Sequence, residues 1–590
     1  MARALLGCLA IVLLACTNEG SRSYQGYAEG KYVRAAAPYS GTLEMLAVKR
    51  PTEIEAVQAQ QARAAIASAH PLATSAGHEI LARGGNAFDA AVAVAAVLAV
   101  VEPYASGLGG GGLWLLHRAQ DGHQVMVDAR ETAPAGVKPE LYVDSSGKPI
   151  RGATTQGGTA AAIPGAPAAL VHVAERYGAL PLAASLAPAF RHARDGFSVD
   201  ERYARLAGLR ESLLRQNPDA SRIFLDGDRP PRAGWLLRQP ELAETLKRLA
   251  RDGNGGFYGG PVARALVDAV NRAGGVWRLS DLAGYRVIER VPLRFQYRGA
   301  WITTAALPSA GGVALAQSLQ MLERFETGDA RSPREAHLVI EALRRAFRDR
   351  AAYLGDADFV AVPVERLTSG AYARERAATI NPGAATRSDM PECEPGAAGS
   401  VHTTHLSVVD AAGNRVAATL TINLAFGSGV VARGTGVLLN NEMDDFTVRA
   451  GASNAFGLRG GEANAIAPGK RPLSSMTPTF VEDAKGVLVV GTPGGSRIVS
   501  QVLLAVLDYV HAPAVDLPAI VRAPRYHHQW WPDRVEVEPE GFPAQWRAAL
   551  EAKGHRLETA RRRWGNMQVV FKSKPGGIAH AASDPRGAEY

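Results

Sequence analysis

Apolar positions recur at three-and-four spacing through the first two-thirds of the chain, and after residue 400 they alternate. From 71 to 102 the pattern is helical and alanine-rich. Gly84-Gly85 interrupts it, and Asn86 stands where a side-chain oxygen would cap a second helix. That second helix, 87–101, is apolar almost all round, so it is expected between layers. A glycine-rich stretch and a hairpin follow, 114–117 and 124–128, turning at Asp121-Gly122. Helices are predicted over 167–177, 182–194, 199–216, 242–251 and 262–273. Strands are predicted over 285–297 and 301–304, then long helices over 312–325 and 333–354.

The segment 381–400 turns to Pro, Gly, Ala and Ser, which is loop composition. Strands then alternate over 404–409 and 415–423 around Ala412-Gly413-Asn414, and over 478–482 and 487–491 around Asp483-Ala484-Lys485-Gly486. A helix over 496–510 follows Gly494-Gly495. Periodicity alone gives a mixture of α with β and no finer class.

Composition narrows the function classes. With 590 residues, 47% hydrophobic and 21% charged, the chain has the make-up of a folded protein and could hold several layers or domains. The net charge of +8 is spread along the chain, with no basic stripe and no zinc-ligand spacing, so nucleic acid is not an indicated partner. A mildly basic surface suits an anionic substrate. The first residues differ from the body. Met1-Ala2-Arg3 precedes an apolar run ending in Leu13-Leu14-Ala15-Cys16, which resembles a bacterial lipobox. The expected division is a signal and lipobox over 1–16 and a tether over 17–50. The protein would be exported to a bacterial periplasm, with Cys16 offering an outer-membrane lipid anchor. The other cysteines are Cys8, inside the signal, and Cys393, so the body has one thiol and no internal disulfide.

The chemistry concentrates at His402-Thr403-Thr404-His405, entering a predicted strand. A threonine hydroxyl needs a base to become a nucleophile. An N-terminal threonine carries its own, an α-amine with a reference pKa near 8, and scission before Thr403 would create one. Four polar clusters follow at the edges of apolar runs: Thr421-Ile422-Asn423, Asn440 to Phe446, Pro472 to Pro478, and Gly491 to Arg497. Upstream stand Gly84 to Ala91, Ser106 to Gly112 and Asp128 to Pro134. In order and spacing these blocks resemble the γ-glutamyltranspeptidase (glutathione hydrolase) family of N-terminal-nucleophile hydrolases, from about Ala65 to Arg586.

The resemblance implies an α+β fold, a four-layer αββα sandwich formed by two chains after self-cleavage. The large subunit would be 51–402 and the small subunit 403–590, held together as a heterodimer. It implies a self-processing γ-glutamyltransferase and glutathione hydrolase. Thr403 would take the γ-glutamyl group of glutathione or related compounds and pass it to water or to an amino acid or peptide acceptor, without metal or cofactor. Thr421 would orient the nucleophile, and the amides of Gly494 and Gly495 would form the oxyanion hole. Arg130 would take the substrate carboxylate with Ser474 and Ser475. Asn423, Glu442 and Asp445 would take the ammonium.

The chain departs from the family pattern in two places. Asn423 is followed by Leu424-Ala425-Phe426 where hydroxyl residues are usual. The long segment from Asp445 to Ser474 resembles a lid loop whose aromatic is Phe456 instead of tyrosine, losing a hydroxyl that could latch to Asn423. Two other readings are rejected. Gly107 to Gly112 satisfies G-x-G-x-x-G, but it follows a helix and precedes a strand, the wrong order for a dinucleotide fingerprint. His402/His405 and His527/His528 lack metal-ligand spacing. Two alternatives to the main reading remain: a cephalosporin (glutaryl) acylase of the same fold, and a catalytically inactive binding lipoprotein.

Overall fold

The computed structural model describes residues 63–326, 331–388, 401–539, 541–574 and 577–587. The expected signal, tether and Cys16 anchor, and Cys393 with the second half of the loop over 381–400, lie outside the described residues. Two six-stranded antiparallel sheets form the centre. In chain order their strands are β1 (Ala65–Ser68), β2 (Gly111–Arg118), β3 (His123–Ala129), β4 (Ile288–Arg290), β5 (Leu293–Tyr297), β6 (Ala300–Thr304), β7 (Val401–Val409), β8 (Arg415–Leu424), β9 (Thr479–Glu482), β10 (Gly486–Gly491), β11 (Gln568–Ser573) and β12 (Ala579–Ser583). One sheet has the order β1-β7-β8-β2-β3-β4 and the other β12-β11-β10-β9-β6-β5.

Strand alternation builds three cores from these two sheets. Ala65, Ala67, Leu115, Val409 and Ala417 of the first sheet pack against Phe480, Val489 and Val570 of the second. The opposite face of the first sheet, including Trp114, Leu406, Val408, Val416 and Ala418, packs under helices α1 (Pro71–Ala82), α2 (Ala87–Val101), α3 (Ala166–Tyr177) and α4 (Leu182–Asp195). Ile302, Val481, Leu488, Val490 and Val569 of the second sheet pack under α5 (Ala310–Leu322), α6 (Pro333–Tyr353) and α7 (Arg497–His511). The expected αββα order of layers is therefore the observed one.

Helix α2 shows how local sequence serves the layering. All fifteen of its residues are buried. Asn86 caps it as expected, and Asp89 completes a capping box. The Asp89 carboxylate also accepts from Ala179 N at 2.8 Å and Leu180 N at 3.2 Å, tying the helix start to the turn after α3. Asp410, at the end of β7, accepts from Ala87 N at 2.9 Å. The helix is thus fixed at its N-terminus to the strand that carries Thr403.

One expected strand is divided. The run predicted over 285–297 breaks at Val291-Pro292, and β4 joins the first sheet while β5 joins the second. Proline cannot donate to a ladder, so it ends one pairing where the chain changes sheets. Strands β1, β11 and β12 were not predicted.

Replacing Asp89 by Ala removes three acceptor contacts from buried or capped N–H groups. Denaturant unfolding should show a loss of roughly 2–4 kcal/mol. A loss under about 0.5 kcal/mol would show that this turn does not support the layer.

Candidate active site

Thr403 is the third residue of β7 and 6% exposed. Alternation turns its side chain toward the second sheet, with those of His405 and Ser407, whose hydroxyl donates to Gln568 O of β11 at 3.0 Å. Thr404 faces the helices and donates to the buried Glu102, at the end of α2, at 2.7 Å. Antiparallel pairing sets Thr403 opposite Thr421.

The Thr421 hydroxyl has three polar neighbours. Its hydroxyl donates to the His402 carbonyl oxygen at 3.4 Å and accepts from Asn423 N at 2.8 Å. The Thr403 oxygen lies 3.2 Å away. A hydroxyl has one proton and two acceptor sites. Either hydroxyl can donate in this pair; when the Thr421 proton is on His402, Thr421 accepts from Thr403 and the Thr403 lone pairs are left free.

Next along β8 the ladder bulges. Asn423 has φ +74°, and the register shifts between Thr421 and Leu424. Asn441 stabilises the bulge. Its carbonyl accepts from Asn423 Nδ2 at 2.8 Å, its Oδ1 accepts from Leu424 N at 3.0 Å, and its Nδ2 donates to Thr155 O at 2.8 Å. The Asn423 amide is therefore paired with Asn441, whatever aromatic the lid carries.

Asn441 leads into a 3₁₀ turn, Glu442–Asp445, that meets Arg130 at the end of β3. The fully buried Arg130 guanidinium donates to Glu442 Oε1 and Asp445 Oδ2, and its Nε donates to Pro472 O at 3.1 Å. Glu131 adds a third carboxylate 3.5 Å away. Burial pushes Glu442 well above the usual carboxylate range and Glu131 up to about 7, against the pull of Arg130. Burial would lower Arg130, but Glu442, Asp445 and Glu131 outweigh it and leave the guanidinium firmly charged. Of the residues expected to bind a carboxylate or an ammonium, Arg130, Glu442 and Asp445 thus form one buried ion cluster, while Asn423, Ser474 and Ser475 stand outside it.

The Pro472 contact brings the serine segment beside this cluster. Ser474 Oγ accepts from Met476 N at 3.0 Å, and its backbone is held by Pro308 O and Ala310 N at 2.8 and 2.9 Å. Ser475 keeps 8% of its surface accessible.

Gly494 and Gly495 lie between β10 and α7. Strand β10 ends at Gly491, where a Cβ would lie 2.1 Å from the His405 ring, so the loop starts against the nucleophile strand. Gly494 and Gly495 have φ +147° and +55°. Among the described residues neither N–H has an acceptor. Both stand at the N-terminal end of α7, where amides and dipole favour negative charge. A Cβ on Gly495 would lie 2.8 Å from the Phe456 ring, so the lid aromatic rests on this loop.

The glycines of 107–112 have a structural use. A Cβ on Gly109 or Gly110 would lie 2.0 Å from Leu438 O or Thr421 O. His527 bonds Ser500 and Gln529, and His528 bonds Asp533. Sequence reading missed Glu131, Asn441 and Glu102. The first two lie inside blocks already singled out, and Glu102 is the charge that ends the apolar run 90–101. A charge directly after so long an apolar run was the available signal.

The profile of the gamma-glutamyltranspeptidase family matches residues 73–590. The "Glutathione hydrolase proenzyme" of Escherichia coli is 40% identical over 534 residues, covering 89% of this chain and 90% of that protein. The "Acylase ACY 1 proenzyme" of a Pseudomonas species is 36% identical over 538 residues, covering 89% and 92%. Among solved structures, the cephalosporin acylase from Bacillus halodurans superposes with a TM-score of 0.76 at 28% identity, covering 89% of this chain and 94% of that one.

Asp444, beside the ion cluster, accepts from Thr154 Oγ1 at 2.8 Å and Ala455 N at 3.0 Å, and burial pushes its pKa up to about 7. A carboxyl whose folded pKa exceeds its unfolded value near 4 holds extra protons when folded. Its contribution is present below pH 4 and lost as pH rises through 7. Asp444→Asn preserves both contacts and should be more stable than the parent at pH 8, by on the order of 2–4 kcal/mol, with no gain at pH 4. Equal effects at both pH values would show that Asp444 is ionised throughout.

Proposed function

The chain belongs to the gamma-glutamyltranspeptidase family, and from that premise we propose a self-processing γ-glutamyltransferase and glutathione hydrolase whose nucleophile is Thr403. The observation that carries this reading is the saturated Thr421 hydroxyl, which touches both the attacking oxygen and the carbonyl to be attacked. In the precursor, Thr403 Oγ1 adds to the His402 carbonyl carbon. The C–N bond breaks, the nitrogen takes the hydroxyl proton, and an ester joins the two residues. Water then hydrolyses the ester, leaving a carboxylate on His402 and a free α-amine and hydroxyl on Thr403. The large subunit would end at His402 and the small one begin at Thr403. Their shared sheets hold them together, since β1 of one pairs with β7 of the other.

In the processed enzyme the Thr403 amine accepts the hydroxyl proton as the oxygen attacks the γ-carbonyl of glutathione. Negative charge on that carbonyl would be received by the Gly494 and Gly495 amides. The proton passes to the leaving amine, and the acyl-enzyme is resolved by water or by an amino acid or peptide. The charged end of the γ-glutamyl group is a zwitterion, and the ion cluster is its complement. The substrate carboxylate takes the place of an internal carboxylate on Arg130, aided by Ser474 and Ser475, and the ammonium takes up the released Glu442 or Asp445, with Asn423. A glutaryl group has no ammonium to offer, so this cluster disfavours the acylase reading. The apolar leader ending at Cys16 supports export to the periplasm, with Cys16 as a lipid anchor.

A denaturing gel of purified protein should show two bands, the smaller beginning Thr-Thr-His-Leu on Edman sequencing, while Thr403→Ala stays whole. γ-Glutamyl-p-nitroanilide should be cleaved in preference to the glutaryl anilide. Intact active protein, or glutaryl preference, would overturn the reading.

Thr421→Ser retains all three hydrogen bonds and should process and turn over at near the parent rates. Thr421→Val should slow self-cleavage on the order of 100-fold, timed by gel. Equal rates for the two variants would remove Thr421 from the mechanism.

A further inference from the structure

A cavity of about 60 Å³ lies behind Asp445, lined by Arg350, Arg459, Asp444, Asp445, Thr154 and Asn454 among others. Arg350, near the end of α6, is 4% exposed and Arg459 is 6% exposed. Among the described residues no carboxylate oxygen lies within 4.0 Å of either guanidinium. The Nε of each has no hydrogen-bond partner. Arg350 Nη1 donates only to the Arg459 carbonyl, at 3.5 Å, and Arg459 stacks over the Trp531 ring at 5.0 Å.

The aspartates in the wall are engaged elsewhere. Asp444 spends its two oxygens on Thr154 and Ala455. Asp445 is turned to Arg130 and to Asn454, whose Nδ2 donates to it at 3.3 Å. Two buried arginines that line one cavity without an ion-paired carboxylate are costly unless an anion joins them. The space excludes an amino acid but admits a halide or a carboxylate the size of formate or acetate.

We propose that Arg350 and Arg459 form a binding site for a small monovalent anion, which tunes Asp445 from behind. Arg350 feels Asp445 as its nearest opposing charge, and burial draws its own pKa down to about 10. A bound anion offsets the positive charge behind Asp445 and strengthens that carboxylate as a partner for a substrate ammonium. The site's existence stands on the cavity alone, whereas its effect on turnover rests on the γ-glutamyl reading above.

Crystals of the processed enzyme soaked in bromide should show an anomalous peak between Arg350 and Arg459. At constant ionic strength, replacing gluconate by chloride or acetate should lower KM for γ-glutamyl-p-nitroanilide at least about fivefold with kcat unchanged. Arg350→Gln should abolish that response. A chloride response identifies a halide site and an acetate response a carboxylate site. No peak at saturating bromide overturns the site. A peak with no change in KM, or a response surviving in Arg350→Gln, overturns the coupling to Asp445 while the site stands. Loss of anilide turnover altogether would strike the γ-glutamyl reading and leave the bromide result intact.

Discussion

Thr403 and Thr421 face each other across two neighbouring strands, and a slip of one residue would turn every side chain of β7 to the other face. Leu406 and Val408 would then meet the polar residues between the sheets, and Thr403 would point into the helix layer. The register is held from both sides. Val409 and Ala417 are sealed against the second sheet, Leu406 and Val416 against α2, and Asp410 anchors the strand end to the first N–H of that helix. Thr404 adds a hydrogen bond to Glu102, whose ordinary pKa is raised by burial and partly restored by Arg202. Thr403 is positioned by packing on both faces of its strand, with the Thr421 hydroxyl beside its own.

The same economy links nucleophile and recognition. Thr421 bonds Asn423, Asn423 bonds Asn441, and Asn441 precedes the turn that presents Glu442 and Asp445 to Arg130. A γ-glutamyl group has its scissile carbonyl and its zwitterionic end at a fixed separation, so a continuous backbone path between the two subsites favours one length of substrate. Internal pairing of Arg130 keeps the empty site neutral enough to stay folded. A ligand with both a carboxylate and an ammonium exchanges one set of ion pairs for another, while a ligand with only a carboxylate leaves a buried acid without its arginine.

The sequence was most legible where the determinants are local. The Asn86 cap, the buried α2 and the hairpin after Thr403 follow from a few adjacent residues. The predicted strand over 285–297 failed because periodicity does not say to which sheet each half belongs, and Pro292 signals an interruption without a destination. The C-terminal strands β11 and β12 were missed because neither alternates cleanly: four successive residues of β11 are buried and only one of the five in β12 is. At the site, residue types and order singled out, through family resemblance, clusters that the fold brings close together. The pairing of Arg130 with its own candidate partners did not emerge, because it depends on residues some 312 positions apart meeting in space. Glu131 and Asn441 were hidden by neighbours with stronger chemical signatures.

Phe456 shows what the lost hydroxyl costs and what replaces it. A tyrosine could have latched the lid by a hydrogen bond, whereas in this chain the Asn423 amide N–H is directed to the Asn441 carbonyl. The lid is instead fixed by contacts of its own. Asn454 accepts from the N–H groups of Phe456 and Leu458, Gln529 donates to the Phe456 carbonyl at 3.2 Å, and the ring lies against Gly495. Because Asn454 also donates to Asp445, one turn touches both the Arg130 ion cluster and the Gly494-Gly495 loop. Phe456 is therefore seated by packing of its ring on Gly495 and by the backbone contacts of the Asn454 turn, with no hydrogen bond from its own side chain.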